Sequence, residues 1–250
     1  MRLGASLACL IAVPAAASDL LRLAMPEARM IAGIHGDRFR DSPFGRFLLP
    51  FLRGSEEFDS LFAQHREAGF DPLGDTQELV VASLDTAAWE GQLFLLRAKS
   101  LETRAAGVTI HGKTAVAVLD STTIVSGGID LVRGAMARRG NTTTLDSPLA
   151  GAAMRASRGY EVWAVTNLPV ARFAPLFSDR NLRAALRGDL LQAVEQSSVA
   201  VRLGDTVEVV AEAEVRSERD AASIADVARF LLTLAPARLR QTTIKSEART

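Results

Sequence analysis

The sequence has little of the chemistry that most enzymes and metalloproteins use. Its 250 residues include one cysteine, Cys9, and three histidines, His35, His65 and His111. One cysteine can form no internal disulfide, and no histidine has a second ligand at the spacing of a helix or a strand. The Gly-x-Ser-x-Gly turn that presents a hydrolase serine is also absent. The sequence therefore predicts no metal and no cofactor, although the fold could still bring one histidine into a site.

An excess of charge of one sign is missing as well. The chain has 29 basic and 29 acidic residues, so its formal net charge is 0. Lysine occurs only at positions 99, 113 and 245, and arginine supplies the rest of the positive charge. A nucleic-acid partner would require a basic face, so none is predicted. No long apolar run follows the N-terminal one, so no transmembrane anchor is predicted either.

The N-terminus has the pattern of an export signal. Arg2 is followed by an apolar stretch over residues 3–13 and by the small residues 15–17, which a signal peptidase recognises. The apolar stretch is too short to span a bilayer. We expect cleavage before Ser18, which removes Cys9, and a periplasmic or secreted location in a bacterial host.

Residues 107–114, GVTIHGKT, match the phosphate-binding P-loop as a string of letters. The motif works only where it leaves a strand and opens a helix, so that amide groups converge on a phosphate. Here Lys113 is followed by the apolar run TAVAVL, which is typical of a strand. We therefore predict a hairpin that turns at Gly112, with a second turn at Asp120, and we disfavour a nucleotide hydrolase. Export supports this interpretation, because nucleoside triphosphates are scarce outside the cytoplasm.

The remaining periodicity predicts an α+β fold with an antiparallel or mixed sheet, helices packed on one face, and two related halves that could share the sheet. Strands are expected near residues 29–36, 78–84, 92–98, 123–126, 161–166, 199–203 and 207–215, and helices near 19–24, 43–52, 55–69, 129–139, 168–177, 179–196 and 217–235. Pro50 should kink or shorten its helix. Gly127 and Gly128 should form a loop, and the alternation in residues 207–215 predicts one buried and one exposed face.

The chain divides at a polar segment after Gly140. The predicted parts are a signal peptide (1–17), an N-terminal α+β half (18–140), a polar linker with a short helix (141–159), a C-terminal α+β half (160–236) and a polar tail (237–250). In each half a strand precedes a helical region that contains phenylalanine, which fits a weak internal duplication. Chance similarity between α+β patterns is the other interpretation.

Four short features stand out for their local sequence. They are Leu23-Ala-Met-Pro26, Ser42-Pro-Phe-Gly45, Gly69-Phe-Asp-Pro72 with Asp75, and Ala117-Val-Leu-Asp120 together with Leu131-Val-Arg133. Together with the signal they resemble exported bacterial α+β proteins of a family of unknown function, and the resemblance covers most of the chain after the signal. Its motifs are structural. It implies an α+β fold and export, but no activity and no site residues.

Phenylalanine is concentrated between residues 39 and 70, which hold seven of the eleven in the chain. Five of them recur at helical spacing: Phe44, Phe47, Phe51, Phe58 and Phe62. Packing into the core is the simplest explanation of such a stripe. The alternative is a groove for an acyl chain, a lipid or a partner helix, because soluble monomers seldom expose a large apolar patch. These five residues are the candidate apolar binding surface.

Three aspartates near predicted turns, Asp71, Asp75 and Asp120, form the other set considered, together with Asp85 at the end of a predicted strand. Two adjacent carboxylates could bind calcium or act as acid and base. Aspartate beside proline or glycine is also ordinary turn chemistry, in which the side chain accepts backbone N–H groups. The favoured hypothesis is therefore a non-catalytic exported protein that binds an apolar ligand, such as a lipid, or a protein partner. The alternative is a periplasmic hydrolase that uses these carboxylates.

Overall fold

A computed structural model gives the fold and describes residues 19–53, 55–56, 71–85, 89–101, 107–140, 147–176, 180 and 189–234. The expected export signal, nearly all of the predicted helix over residues 55–69, residues 141–146 of the polar linker and the tail lie outside these residues. Within the described part, no helix is long and apolar enough to cross a membrane.

The described strands form one antiparallel sheet, in the order β4-β5-β6-β3-β2-β1-β7-β8-β9. The strands are β1 (Met30–His35), β2 (Thr76–Ser83), β3 (Gln92–Ala98), β4 (Gly107–His111), β5 (Thr114–Val118), β6 (Thr123–Gly128), β7 (Val162–Thr166), β8 (Val194–Leu203) and β9 (Val207–Val215). Together with the helices, this sheet confirms the predicted α+β class. It also shows that both halves of the chain share one continuous sheet.

The described helices include short 3₁₀ segments, which we label η. They are η1 (Asp19–Leu23), α1 (Gly36–Asp41), α2 (Pro43–Arg53), α3 (Pro72–Asp75), η2 (Trp89–Gly91), α4 (Ile129–Arg138), α5 (Ala150–Gly159), η3 (Val170–Leu176), η4 (Asp189–Ala193) and α6 (Glu218–Leu234). The predicted cap of the last helix is present, because the Asp220 amide donates to the Ser217 hydroxyl at 3.2 Å and that hydroxyl donates to the Asp220 carboxylate at 2.8 Å. Helix α1 was not predicted.

The main core lies between one face of the sheet and the helices η1, α4 and α5. Leu20, Val132 and Ala153, one from each helix, are almost fully buried in one apolar cluster with Val80 and Leu95 of the sheet. Side chains alternate between the two faces of a strand, so the opposite face carries different residues. A smaller cluster there contains Leu96, Ala98, Val116 and Ile124.

The two halves meet inside the sheet, where β1 pairs with β7. Gly33 on β1 lies opposite Trp163 on β7, which is 2% exposed. A Cβ atom at Gly33 would lie 2.5 Å from Cζ2 of the indole ring, so glycine is what allows the ring to cover this part of the sheet. β1 and β7 are the strands compared in the duplication hypothesis. That hypothesis and the domain bounds stay predictions.

Gly127 and Gly128 were predicted to form a loop, and this prediction is wrong. Both belong to β6 and continue its pairing, Gly127 with β3 and both residues with β5. A Cβ atom at Gly127 would lie 2.1 Å from the Gln92 carbonyl oxygen, and one at Gly128 would lie 2.3 Å from that of Glu90. A glycine pair can indicate a turn, but glycine within a strand can also indicate that another backbone approaches closely. Here the close approach explains both glycines.

The predicted helix over residues 179–196 is wrong at its C-terminal end. Residues 189–193 form η4, and β8 already begins at Val194. Pairing with β9 explains the difference, because Val194 lies opposite Val215 and Gln196 opposite Glu214 across a bulge. Long-range pairing of this kind overrides the local helical preference of a segment.

Two smaller expectations also need correction. The alternation in β9 predicted a buried face, but every residue of this strand is exposed or half-buried, with Val207 and Val209 at 49% and 58% exposure. No residue of β9, the last strand of the sheet, belongs to either apolar cluster described above. Pro50 was expected to kink or shorten its helix; α2 is not ended by it and continues to Arg53, whereas the kink stays a prediction.

Candidate binding surface

The first turn of helix α2 is fixed to the end of α1. The Ser42 hydroxyl accepts the Gly45 amide at 2.9 Å and donates to the Phe39 carbonyl at 2.7 Å, so it caps α2 and ties it to the end of α1. Gly45 is the buried residue of the helix, and a Cβ atom there would lie 1.7 Å from the Phe39 carbonyl oxygen. The Gly45 side of α2 therefore faces the protein.

The phenylalanine face of α2 points away from that contact. Phe44, Phe47 and Phe51 are spaced by three and four residues, so they share one side of the helix. Their exposed fractions are 40%, 65% and 64%. The rings of Phe47 and Phe51 pack on each other with centroids 5.5 Å apart, whereas Phe58 and Phe62 lie outside the described residues. We call Phe44, Phe47 and Phe51 the phenylalanine face.

The residues that match the P-loop motif form a hairpin, as predicted. β4 pairs with β5 from Gly107 opposite Val118 to His111 opposite Thr114, and Gly112 takes a φ of +60° at the turn. The Lys113 ammonium lies 3.1 Å from the Glu90 carboxylate. Because no helix follows the turn, these amides do not converge on a phosphate position.

The three candidate aspartates accept hydrogen bonds within their own turns. Asp71 caps α3 by accepting the Leu73 amide at 3.1 Å, and Asp75 accepts the Asp71 amide at 2.9 Å. Asp120 accepts the Thr122 amide at 2.9 Å and the Thr122 hydroxyl at 3.0 Å. Among the described residues, no group of three or more histidine, cysteine, aspartate or glutamate side chains could hold a metal ion. These bonds support the interpretation of the aspartates as turn residues.

The histidines show no common site in the part of the chain that the structure describes. The His35 ring nitrogen Nε2 lies 2.6 Å from the Ser157 carbonyl, and Nδ1 lies 4.0 Å from the buried Glu78 carboxylate. His111 is exposed at the end of β4, and His65 lies outside the described residues. His35 therefore links β1 to α5 and to β2, which is a structural role.

The structure also contains a polar cleft that the sequence did not indicate. It has a volume of about 580 Å³ and lies where η1, the C-terminus of α4, the end of β3 and the turn between β5 and β6 meet. Its lining residues are Asp19, Leu20, Arg22, Leu23, Arg97, Leu119, Asp120, Ser121, Thr122, Thr123, Arg138, Arg139 and Gly140. These residues come from four separate segments, so no local motif could have pointed to them.

Two ionisable groups of this cleft have shifted pKa values. Burial raises the pKa of Asp120, but the hydrogen bonds from Thr122 and Thr123 outweigh it and hold the pKa below its ordinary value. Burial lowers the pKa of Arg138, and the charge of Glu27 opposes that effect. An arginine side chain stays protonated in proteins despite such a shift.

Asp120→Ala is expected to lower the free energy of unfolding by about 1 kcal/mol at neutral pH, because two hydrogen bonds in the turn are lost. The folded pKa lies below the unfolded value near 3.8. The contribution of the charge is therefore present above that value and is lost as the pH falls through the folded pKa. Urea unfolding of both proteins at neutral and acidic pH measures the difference.

Asp130→Ala is the control for this experiment, because the Asp130 side chain is 95% exposed and pairs only loosely with Arg133, at 3.4 Å. It should change stability little at either pH. An equal loss for Asp120→Ala at neutral and acidic pH would show that the charge of the carboxylate contributes nothing.

Comparison with known proteins gives a fold but no family. No family model and no curated protein matches the sequence. The fold is similar to that of TP0453. Its crystal form III aligns with a TM-score of 0.53 and 10% identity over 84% of this chain and 86% of that one. Crystal form I of TP0453 gives a TM-score of 0.52 and 11% identity over 87% of each chain. At this identity the similarity to TP0453 shows the α+β fold and assigns no function.

Proposed function

We propose that this chain is an exported, non-catalytic protein that binds an apolar ligand or a protein partner through the phenylalanine face of α2. The observation that carries the proposal is the exposure of Phe47 and Phe51, at 65% and 64%. Single exposed apolar residues are common and mean little, but adjacent aromatic rings on one helix face are typical of a binding surface.

The surroundings of the phenylalanine face fit such a role. Arg46 and Arg53 are the charged residues of α2, and the helix contains no acidic residue. Both arginines are exposed. An apolar stripe beside positive charge suits an amphipathic ligand with an acyl chain and an anionic head, and it equally suits an acidic, apolar segment of a partner protein.

Export is part of the same proposal. The pattern of the first 17 residues supports it. Measuring the mass of the protein recovered from the producing cell tests this directly. A mass that begins at Ser18 supports export, and an intact N-terminus in the cytoplasmic fraction contradicts it.

The hydrolase alternative has no comparable support. Asp71, Asp75 and Asp120 accept hydrogen bonds from backbone amides next to them, which is the behaviour of turn residues. No observation among the described residues favours catalysis by this set, so we propose no second function.

The variant F47S/F51S tests the binding proposal. Both side chains are largely exposed, so the free energy of unfolding should change by no more than about 0.5 kcal/mol. The affinity for a fluorescent fatty acid, or the amount of copurified lipid or protein, should fall at least about tenfold. The reason is that the variant lacks two aromatic side chains that a bound ligand would cover. Titration by fluorescence and mass spectrometry of the purified protein measure these effects.

V207S/V209S is the matched control, because it also removes two exposed apolar side chains, from β9 at the edge of the sheet. It should bind as the unaltered protein does. Equal losses in both variants would show that binding follows general surface hydrophobicity. Unaltered protein that carries and binds neither lipid nor protein would contradict the proposal.

A further inference from the structure

The cleft between η1, α4 and β3 is a second surface with a distinct chemistry. Its volume of about 580 Å³ falls within the range of small-molecule sites. It is bordered by the C-terminus of α4 and by the turn between β5 and β6, whereas the phenylalanine face belongs to α2, a different element. The two surfaces can therefore be altered independently.

The charge of the cleft is unlike that of the chain. Four arginines, Arg22, Arg97, Arg138 and Arg139, and two aspartates, Asp19 and Asp120, line it, and it has no lysine or glutamate. The difference of four and two gives a net charge of +2 in a chain whose formal net charge is 0. Charges that gather in a cleft attract ions of the opposite sign more strongly than charges spread over a surface.

The walls of the cleft are held by hydrogen bonds. Arg138 donates from Nε and Nη2 to the Leu23 carbonyl at 3.2 and 2.9 Å, which fastens the end of α4 to η1. On the opposite wall the Ala98 amide donates to the Thr122 carbonyl at 2.7 Å, which fixes the turn beside β3. A site whose walls are already in place loses little entropy when a ligand binds.

The remaining arginines are available to a ligand. Arg22 lies 3.7 Å from Asp19, and Arg139 lies 3.7 Å from Asp120, and all four side chains are more than two-fifths exposed. Exposed pairs at this distance contribute little energy, so both guanidinium groups can turn to a stronger acceptor. Arg97 lines the cleft from β3, and within the described residues its side chain makes no hydrogen bond or ion pair.

We propose that this cleft binds a small molecule through a phosphate group. A doubly charged phosphate balances the net charge of +2, and guanidinium groups match its oxygens with paired N–H donors. Ser121 lines the same cleft, and its hydroxyl adds a neutral donor. The phosphate group is the recognised part, whether it belongs to a soluble ester or to a lipid head.

Calorimetric titration of the purified protein with inorganic phosphate at low ionic strength tests this assignment. The unaltered protein should bind phosphate, and Arg97→Gln should weaken binding about tenfold, because one charged hydrogen-bond donor pair is removed. Arg133→Gln is the matched control: it removes the same charge from α4 at a position that is 70% exposed, paired with Asp130 and outside the cleft. Its affinity should be unchanged.

A variant that should bind phosphate more tightly makes the test stricter. Asp120→Asn keeps an oxygen that can accept the Thr122 hydrogen bonds but removes a negative charge beside Arg139, so phosphate should bind a few-fold more tightly. If Arg97→Gln unfolds at a much lower temperature than the unaltered protein, Arg139→Gln takes its place, because that side chain is 51% exposed.

Further ligands separate the sources of the phosphate. Binding of glycerol 3-phosphate as well as inorganic phosphate supports a soluble ligand, and binding only to phosphatidylcholine vesicles that contain phosphatidic acid supports a lipid head. In either case the proposal requires that the affinity falls in Arg97→Gln and stays unchanged in Arg133→Gln. Equal binding of succinate would overturn the assignment to phosphate, and the absence of binding to all of these would overturn the proposal.

Discussion

Trp163→Ala is expected to lower the free energy of unfolding by about 3–5 kcal/mol, the cost of removing a large aromatic side chain from a core. Trp163 is 2% exposed and lies inside the sheet, on β7 where it pairs with β1. Its removal leaves a void at the contact between the two halves. Urea unfolding measured by circular dichroism gives the difference.

A double-mutant cycle with Gly33 identifies the contact responsible. Gly33→Ala alone should destabilise by about 1–3 kcal/mol, because the new methyl group has no space beside the indole, from whose Cζ2 it would lie 2.5 Å. In the Trp163→Ala background the same methyl group fills part of the void. The double variant should therefore be more stable than the sum of the two single losses predicts, by about 1 kcal/mol or more. Additive losses would show that the indole does not limit residue 33.

Gly127→Ala should destabilise by about 2–5 kcal/mol, because it combines backbone strain with overpacking. Gly127 has a φ of +145°, which side chains rarely adopt, and its Cβ atom would lie 2.1 Å from the Gln92 carbonyl oxygen. That oxygen belongs to the backbone of the neighbouring strand and cannot rotate away. Thermal or urea unfolding measures the loss.

Gly112→Ala separates the two contributions. Gly112 also has a positive φ, +60°, but no atom lies within 4 Å of where its Cβ would be. Only the strain remains there, so the loss should be about 1 kcal/mol. If the two variants lost the same stability, the close approach of β3 to β6 would contribute nothing.

The elements that local pattern determines were predicted well. The hairpin at Gly112 was predicted from the β-branched run that follows the P-loop match. The helix after Ser42 was predicted from its capping serine and the proline next to it. In both cases the decisive residues lie within one turn or one strand of each other.

The features that depend on distant partners were not predictable in the same way. The start of β8 at Val194 depends on its pairing with β9, and the exposure of β9 depends on what packs against its faces. The cleft joins Arg22, Arg97 and Arg138, which are far apart in the sequence. The exposure of Phe47 and Phe51 was left open, because periodicity shows that residues share a face but does not show what covers it.

The pairing of β1 with β7 has a consequence for a chain cut between α4 and α5. Each fragment would present an unpaired edge strand, β1 in one and β7 in the other, whose hydrogen-bonding groups match. The fragments should therefore reassemble when mixed, with Trp163 of one closing over Gly33 of the other. At high concentration two intact chains could exchange halves through the same strands, which gives a swapped dimer without any new interface.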